Sequence, residues 1–404
     1  MLAACAGVAT PDEAKWFTAW ATSHNERAAA PAMAGRTVRQ ILMPSVPGTS
    51  LRVKLENTMG AAPVVFSAAF IGVAGIGAEV RGGTARRLTF SGRPDLTLAP
   101  GQGAVSDSLP FEVKAFEGLA LSLEVKESTD ISVHHVGLRT NWSAAGMRGD
   151  DGSAVGFEPL AEIPALNSGQ WPFYWIVGLD VQSAGTSGTI VLFGDSITDG
   201  RCSTRDDKGT VQPNLYQRWG DVLAARLAAR PGPRMAVANV GIAGNRILNR
   251  GNGPSALERI DRDVLDRAGV RHVVFFEGTN DITGGFTATQ IISATQAIMD
   301  KVHARGARII GVTVIPRGRP GPGWTAAHET QRRAVNDWIR TQANFDGVID
   351  FDALMKDGPV VTLPDGSSAP AIPAAWNCDG THPNAAGYKA MGEFVDLALF
   401  DRSR

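Results

Sequence analysis

The chain has 404 residues, 44% of them hydrophobic and 20% charged, with a formal net charge of −1. This is a globular composition with room for two domains of ordinary size. The near-neutral charge and the lack of a basic stripe argue against a nucleic-acid partner, and no apolar run approaches the roughly 18 residues that a membrane-spanning helix needs. Neither the P-loop pattern nor H-E-x-x-H occurs, so nucleotide binding and zinc-protease chemistry are not suggested.

The chain opens on Leu2-Ala3-Ala4-Cys5, similar to the lipobox at which bacterial lipoprotein precursors are cleaved and lipidated on cysteine. The charged and apolar regions that should precede it are missing. Two readings stay open: Met1 lies inside a longer signal and Cys5 carries a lipid anchor, or the match is chance. From Arg36 to about Val181 the sequence offers short alternating stretches, among them Ser50–Glu56, Arg87–Phe90, Phe111–Lys114 and Leu119–Val125, separated by Gly, Pro, Asn and Asp turns. Little helical periodicity interrupts them, which predicts a β-sandwich, jelly-roll-like domain over 36–182.

After Ser183-Ala184-Gly185-Thr186-Ser187-Gly188, read as a linker, the pattern becomes strands alternating with helices. Strands are expected at Ile190–Phe193, Ala236–Val240, His272–Phe276, Ala307–Val314 and Val348–Phe351. Helices are expected near Leu215–Arg230, Thr287–Arg305, Thr325–Ala343 and Ala385–Leu399. This alternation predicts a parallel sheet with helices on both faces over 187–404, binding ligands at the carboxyl ends of its strands.

Three of those strand ends carry chemistry. Thr189-Ile190-Val191-Leu192-Phe193 runs into Gly194-Asp195-Ser196-Ile197, an apolar run ending in an exposed serine. Phe275-Phe276-Glu277-Gly278-Thr279-Asn280-Asp281 ends a second strand in a polar cluster, and Val237 to Asn245 ends a third in a glycine-rich turn. Asp379-Gly380-Thr381-His382 lies near the C-terminus. A serine hydroxyl needs an imidazole to accept its proton and a carboxylate to hold that imidazole in the right tautomer. The three-residue spacing of Asp379 and His382 lets the acid reach the near ring nitrogen while the far one faces Ser196. Asn280 offers a side-chain amide to the tetrahedral oxyanion, and Gly244 a backbone N–H with no side chain in the way.

Each motif also has a structural reading: Ser196 as a helix N-cap, Asp199 and Asn280 as turn formers, Asp379 with His382 as a capping pair. Four such segments in one order outweigh it. His134, His135, His272, His303 and His328 read as structural.

These four blocks, in this order, resemble the SGNH (GDSL) hydrolase superfamily over roughly residues 187–404. The resemblance implies a three-layer α/β/α, flavodoxin-like domain with Ser196 as nucleophile, Asp379 and His382 as acid and base, and an oxyanion hole made by the Ser196 N–H, the Gly244 N–H and Asn280. Ser196 does not stand in a G-x-S-x-G elbow, which separates the chain from α/β-hydrolases. Trp16 to Ser23 resembles the opening of two-domain members similar to bacterial xylanase-associated acylhydrolases and arylesterases. Residues 1–35 are therefore read as an N-terminal segment of which part packs on the catalytic domain. Trp171, Phe173, Tyr174 and Trp175 are expected at the interdomain interface, with a sugar-stacking platform as the alternative.

The expected activity is removal of a small acyl group, acetyl foremost, from a polysaccharide or oligosaccharide ester, without metal or organic cofactor, by an exported bacterial enzyme. A broad arylesterase, lipase or thioesterase and a non-catalytic carbohydrate-binding envelope protein are the alternatives. Cys202 and Cys378 should flank the site, either joined in a disulfide or packed as two thiols.

Overall fold

The computed structural model describes residues 15–29, 33–160, 171–206, 208–319 and 323–401, so Cys5 and the lipobox lie outside the described residues. Up to Ser183 the chain forms antiparallel sheets. One orders Lys15–Ala21, Ile176–Ser183, Gly48–Glu56 and Gly103–Val105, with Leu109–Val113 also on Gly48–Glu56. A second runs Glu158–Pro159, Trp142–Ala145, Arg36–Leu42, Leu119–Glu127, Val64–Val73, Arg86–Leu88. A smaller sheet joins Phe173–Tyr174, Asp130–His134 and Glu26–Ala29.

Along Gly48–Glu56, Leu51, Val53 and Leu55 are buried while Arg52 and Lys54 are partly exposed, the period of two that turns one face of a strand to a core. That face meets Val38, Ile71 and Leu121 of the second sheet in one hydrophobic cluster. Strand Val64–Val73 did not stand out in the sequence, because nearly all of it is buried and its residues scarcely alternate. Tyr174 and Trp175 belong to this cluster, Trp175 packing edge-on to Phe66 at 5.4 Å, which removes them from any sugar-stacking surface.

The expected linker is a tight connection, since Ile176–Ser183 is followed by Thr186–Gly194 with only Ala184 and Gly185 between them. Thr186–Gly194 opens a five-stranded parallel sheet ordered Arg234–Asn239, Thr186–Gly194, Val270–Phe276, Arg308–Val312, Gly347–Ile349. Side chains alternate between its faces. Val191 and Phe193 join Val273, Phe275 and residues of helices Ala288–Ala304 and Ala326–Thr341. Ile190 and Leu192 join Val274, Phe276 and residues of helices Trp219–Ala229 and Ala385–Phe394 on the other side. The chain thus makes an α/β unit with a parallel sheet between two helical layers.

The strand order reverses between the two neighbours of Thr186–Gly194, which opens a crevice at their carboxyl ends, where such sheets bind ligands. Two halves meet along one seam. Thr18 N–H donates to Ala268 O at 3.0 Å, Val237 N–H donates to Ser45 Oγ at 2.9 Å, and Arg267 donates to Val177 O and Thr22 O. Residues 15–29 therefore supply strands to the antiparallel sheets and contacts to the other half.

Candidate active site

Ser196 begins a four-residue helix, Ser196–Asp199, directly beyond strand Thr186–Gly194. Asp195 caps it, its carboxylate accepting from Ile197 N–H at 2.9 Å. Gly200 closes it at φ +95°, and a Cβ there would lie 2.4 Å from the Arg218 side chain, so the turn requires glycine. On the facing loop, Asp379 accepts the backbone N–H groups of Thr381 and His382 at 3.0 and 2.9 Å, an Asx turn that fixes its carboxylate.

The two loops converge. His382 Nδ1 lies 2.8 Å from Asp379 Oδ2, and His382 Nε2 lies 2.8 Å from Ser196 Oγ. An ionised carboxylate only accepts, so Nδ1 carries the ring proton and Nε2 is left to accept from the serine hydroxyl. Burial, the largest influence, pulls the His382 imidazole below 6.5, opposed by the hydrogen bond and charge of Asp379 and aided by Arg201 and Arg317. Burial pushes the Asp379 carboxyl up, but the hydrogen bond and charge of His382 and the two backbone donors outweigh it and hold the group well below the ordinary carboxylate range.

The remaining two site candidates sit on adjacent loops. Asn280 is in the first turn of helix Thr279–Thr283, and its Nδ2 donates to Asn245 O at 2.9 Å, leaving a second amide hydrogen. Gly244, the residue before Asn245, has φ +76°, and a Cβ there would lie 2.4 Å from the Asn252 side chain. Asp281 accepts from Ile247 and Leu248 N–H, fastening the two loops together. The backbone N–H groups of Ser196 and Gly244 make no hydrogen bond among the described residues.

Sequence reasoning missed the groups behind Ser196. Arg259, fully buried, donates to Gly194 O, Val240 O and Asn245 Oδ1, tying two strand ends to the Gly244 loop, and lies over the Phe193 ring at 4.4 Å. Burial pushes the Asp195 carboxyl up to about 7 against the Ile197 N–H and the charge of Arg317. Asp199, read as a turn former, accepts from Ala243 N–H at 2.8 Å and lies 3.0 Å from Nε2 of buried His134, in the antiparallel half. No local pattern announces a bond across 65 positions.

Cys202 and Cys378 are joined in a disulfide with Cα atoms 6.4 Å apart, spanning 176 positions and linking the Ser196 loop to the Asp379–His382 loop. Cys202 Sγ, Asp379 and His382 offer ligand atoms within 4.8 Å of one another. The sulfur is committed to the disulfide and both ring nitrogens to their partners, so this set does not fit a metal ion.

Residues 192–390 match the family described as GDSL-like Lipase/Acylhydrolase. This part of the chain is a GDSL-like acylhydrolase domain. The protein is accordingly a carboxylic ester hydrolase. No curated protein matches the chain. Among solved structures, the chain is similar to a G-D-S-L lipolytic protein from Desulfitobacterium hafniense, with 20% identity and a TM-score of 0.37 over 51% of this chain and 96% of that one. A carbohydrate acetylesterase from Sinorhizobium meliloti gives 17% identity and 0.40 over 51% and 94%. The M. smegmatis aryl esterase gives 18% and 0.39 over 51% and 95%.

Proposed function

We propose that the protein is an exported serine esterase that removes a small acyl group, acetyl foremost, from a carbohydrate ester. The observation that carries the chemistry is the continuous line from Ser196 Oγ through His382 to Asp379, with both contacts at 2.8 Å. Ser196 Oγ attacks the ester carbonyl carbon while His382 Nε2 takes the hydroxyl proton. The oxyanion is received by the Ser196 and Gly244 N–H groups and by Asn280 Nδ2. Collapse breaks the bond to the alcohol oxygen, which leaves with the proton from His382. Water, deprotonated by the same nitrogen, then attacks the acyl carbon, and Ser196 recovers its proton as the carboxylic acid departs. Every step is proton transfer and acyl transfer among these residues.

The substrate reading rests on the polar rim. Asn280, Arg317, Arg246 and Asn252 stand on the loops around the serine, which suits a hydroxyl-rich alcohol portion more than a long aliphatic one. We divide the chain at 36–182 and 187–404, with 1–35 as a leading segment, and read the first of these as a jelly-roll-like sandwich because its two larger sheets share one core. Export is supported by the Cys202–Cys378 bond, because such bonds persist in oxidising compartments.

The test is a substrate panel of acetylated xylan, acetylated pectin and p-nitrophenyl esters of increasing chain length. Acetate release from a polysaccharide, with p-nitrophenyl activity falling steeply beyond the shortest chains, is expected. Rates that rise with chain length, or no acetate release from any glycan, would replace this reading by that of a broad arylesterase or lipase.

A further inference from the structure

A cavity of about 340 Å³ lies in the seam between the two halves of the chain. None of Ser196, Gly244, Asn280, Asp379 or His382 lines it. Its walls are largely apolar: Trp20, Ile41 and Phe173 come from the antiparallel half, Leu138 from the loop between its strands Asp130–His134 and Trp142–Ala145, and Ala224 and Val237 from the α/β half. Trp20 and Phe173 meet edge-on at 5.0 Å, giving a rigid aromatic wall. Small-molecule sites have this character, an apolar hollow of a few hundred Å³ with a few polar groups, placed where domains meet.

The polar groups in the wall are not equivalent. Arg218 is satisfied, donating to Asp199 O at 2.6 Å, Val136 O at 3.1 Å and Gly137 O at 3.0 Å, with Asp221 close by. Arg139 is different. Its guanidinium lies over the Tyr216 ring at 5.2 Å and forms no ion pair with a carboxylate among the described residues. Burial lowers its hold on its proton. A cation taken partly out of water without a counter-charge is costly, and an anion entering the cavity would relieve that cost. A planar guanidinium also matches a carboxylate in geometry.

We propose that this cavity is a second binding site, taking a small monocarboxylate with an apolar body, whose chain lies against Trp20, Phe173 and Leu138 and whose head pairs with Arg139. It is separate from the esterase site, although three of its lining residues hold the nucleophile helix: Asn239 donates to Thr198 O at 2.7 Å, Arg218 to Asp199 O, and His134 meets Asp199.

The experiment is calorimetric titration of sodium octanoate into the full chain carrying Ser196→Ala, which prevents turnover. One equivalent should bind. Arg139→Met should weaken that binding about tenfold or more, the size expected for a lost charge-assisted hydrogen bond, while 1-octanol should bind the parent more weakly than octanoate does. Ala225→Phe, at an exposed position of the cavity wall, should abolish octanoate binding by filling the space, and it serves if Arg139→Met proves unfolded by its melting curve. No octanoate binding to the parent, or binding that Ala225→Phe leaves intact, would overturn the proposal. So would a folded Arg139→Met protein that binds octanoate as tightly as the parent, because the carboxylate would then lie elsewhere, the esterase site included.

Discussion

At the residue scale, the proposed chemistry depends on His382 being neutral while it faces Ser196. Burial depresses its proton affinity more than Asp379 restores it, so the imidazole should stay neutral to a pH below its ordinary 6.5. The neutral form is the base. Activity should therefore be present above the folded-state pKa and lost as pH falls through it, with the midpoint of the acid limb of kcat/KM below 6.5. A midpoint above that value would contradict the assignment. Asn280 is expected to act mainly on the transition state. Asn280→Ala should cost about 10²- to 10³-fold in kcat with little change in KM, and steady-state kinetics showing the loss mainly in KM would make Asn280 a substrate-binding or loop-holding residue through its bond to Asn245. The convergence of Ser196, Asp379 and His382 was legible in the sequence because each belongs to a short local pattern and the proposed chemistry requires them together. Arg259, His134 and the link to Asp199 were not, because burial and long-range partners leave no periodic trace.

At the scale of elements, the hydrophobic period located most of the parallel sheet and its long helices. The helix expected near Thr287–Arg305 is Ala288–Ala304, capped by Thr287 and Gln290. The last helix is shorter than expected: it ends at Phe394, Val395 leaves helical geometry at φ −59° and ψ 121°, and Leu397–Phe400 is a separate 3₁₀ turn capped by Asp396. Helix Ala256–Ile260, continuing as a π turn through Leu265, was missed because five residues behind a Gly-Asn-Gly-Pro stretch offer no full amphipathic repeat. That short element carries Arg259, whose guanidinium joins strand ends and the Gly244 loop and stands near Asp263 and Glu277. Arg259→Met keeps bulk but leaves buried carbonyls and a buried acid without their cation. A loss of about 3–5 kcal/mol is expected in urea unfolding, and a loss under 1 kcal/mol would show that the strands hold their ends without it.

At the scale of the whole molecule, the two halves share hydrogen bonds at Thr18, Ser45, Arg267 and His134 instead of hanging on a flexible linker. His134 reaches from the antiparallel half to Asp199, which in turn holds Ala243 N–H beside Gly244. His134→Phe fills the same space without a donor. It should lower kcat by loosening the Gly244 loop while leaving KM nearly unchanged, and unaltered kcat in a folded variant would mean that the antiparallel half supports the site by packing alone. The alternation of β-rich and mixed patterns made the change from antiparallel to parallel pairing visible from composition and period. The seam was not visible, because it is built from single polar contacts between residues dozens to hundreds of positions apart.

The acyl-enzyme is proposed to form on Ser196 through His382. Its most direct measurement is intact-protein and peptide mass spectrometry after brief exposure to a reactive aryl acetate or a serine-directed phosphonate. One adduct is expected on the peptide containing Ser196, none there in Ser196→Ala, and adduct formation slowed by several orders of magnitude in His382→Ala. An adduct formed as fast in Ser196→Ala as in the parent chain, or one mapped to a different residue of the parent, would contradict that assignment.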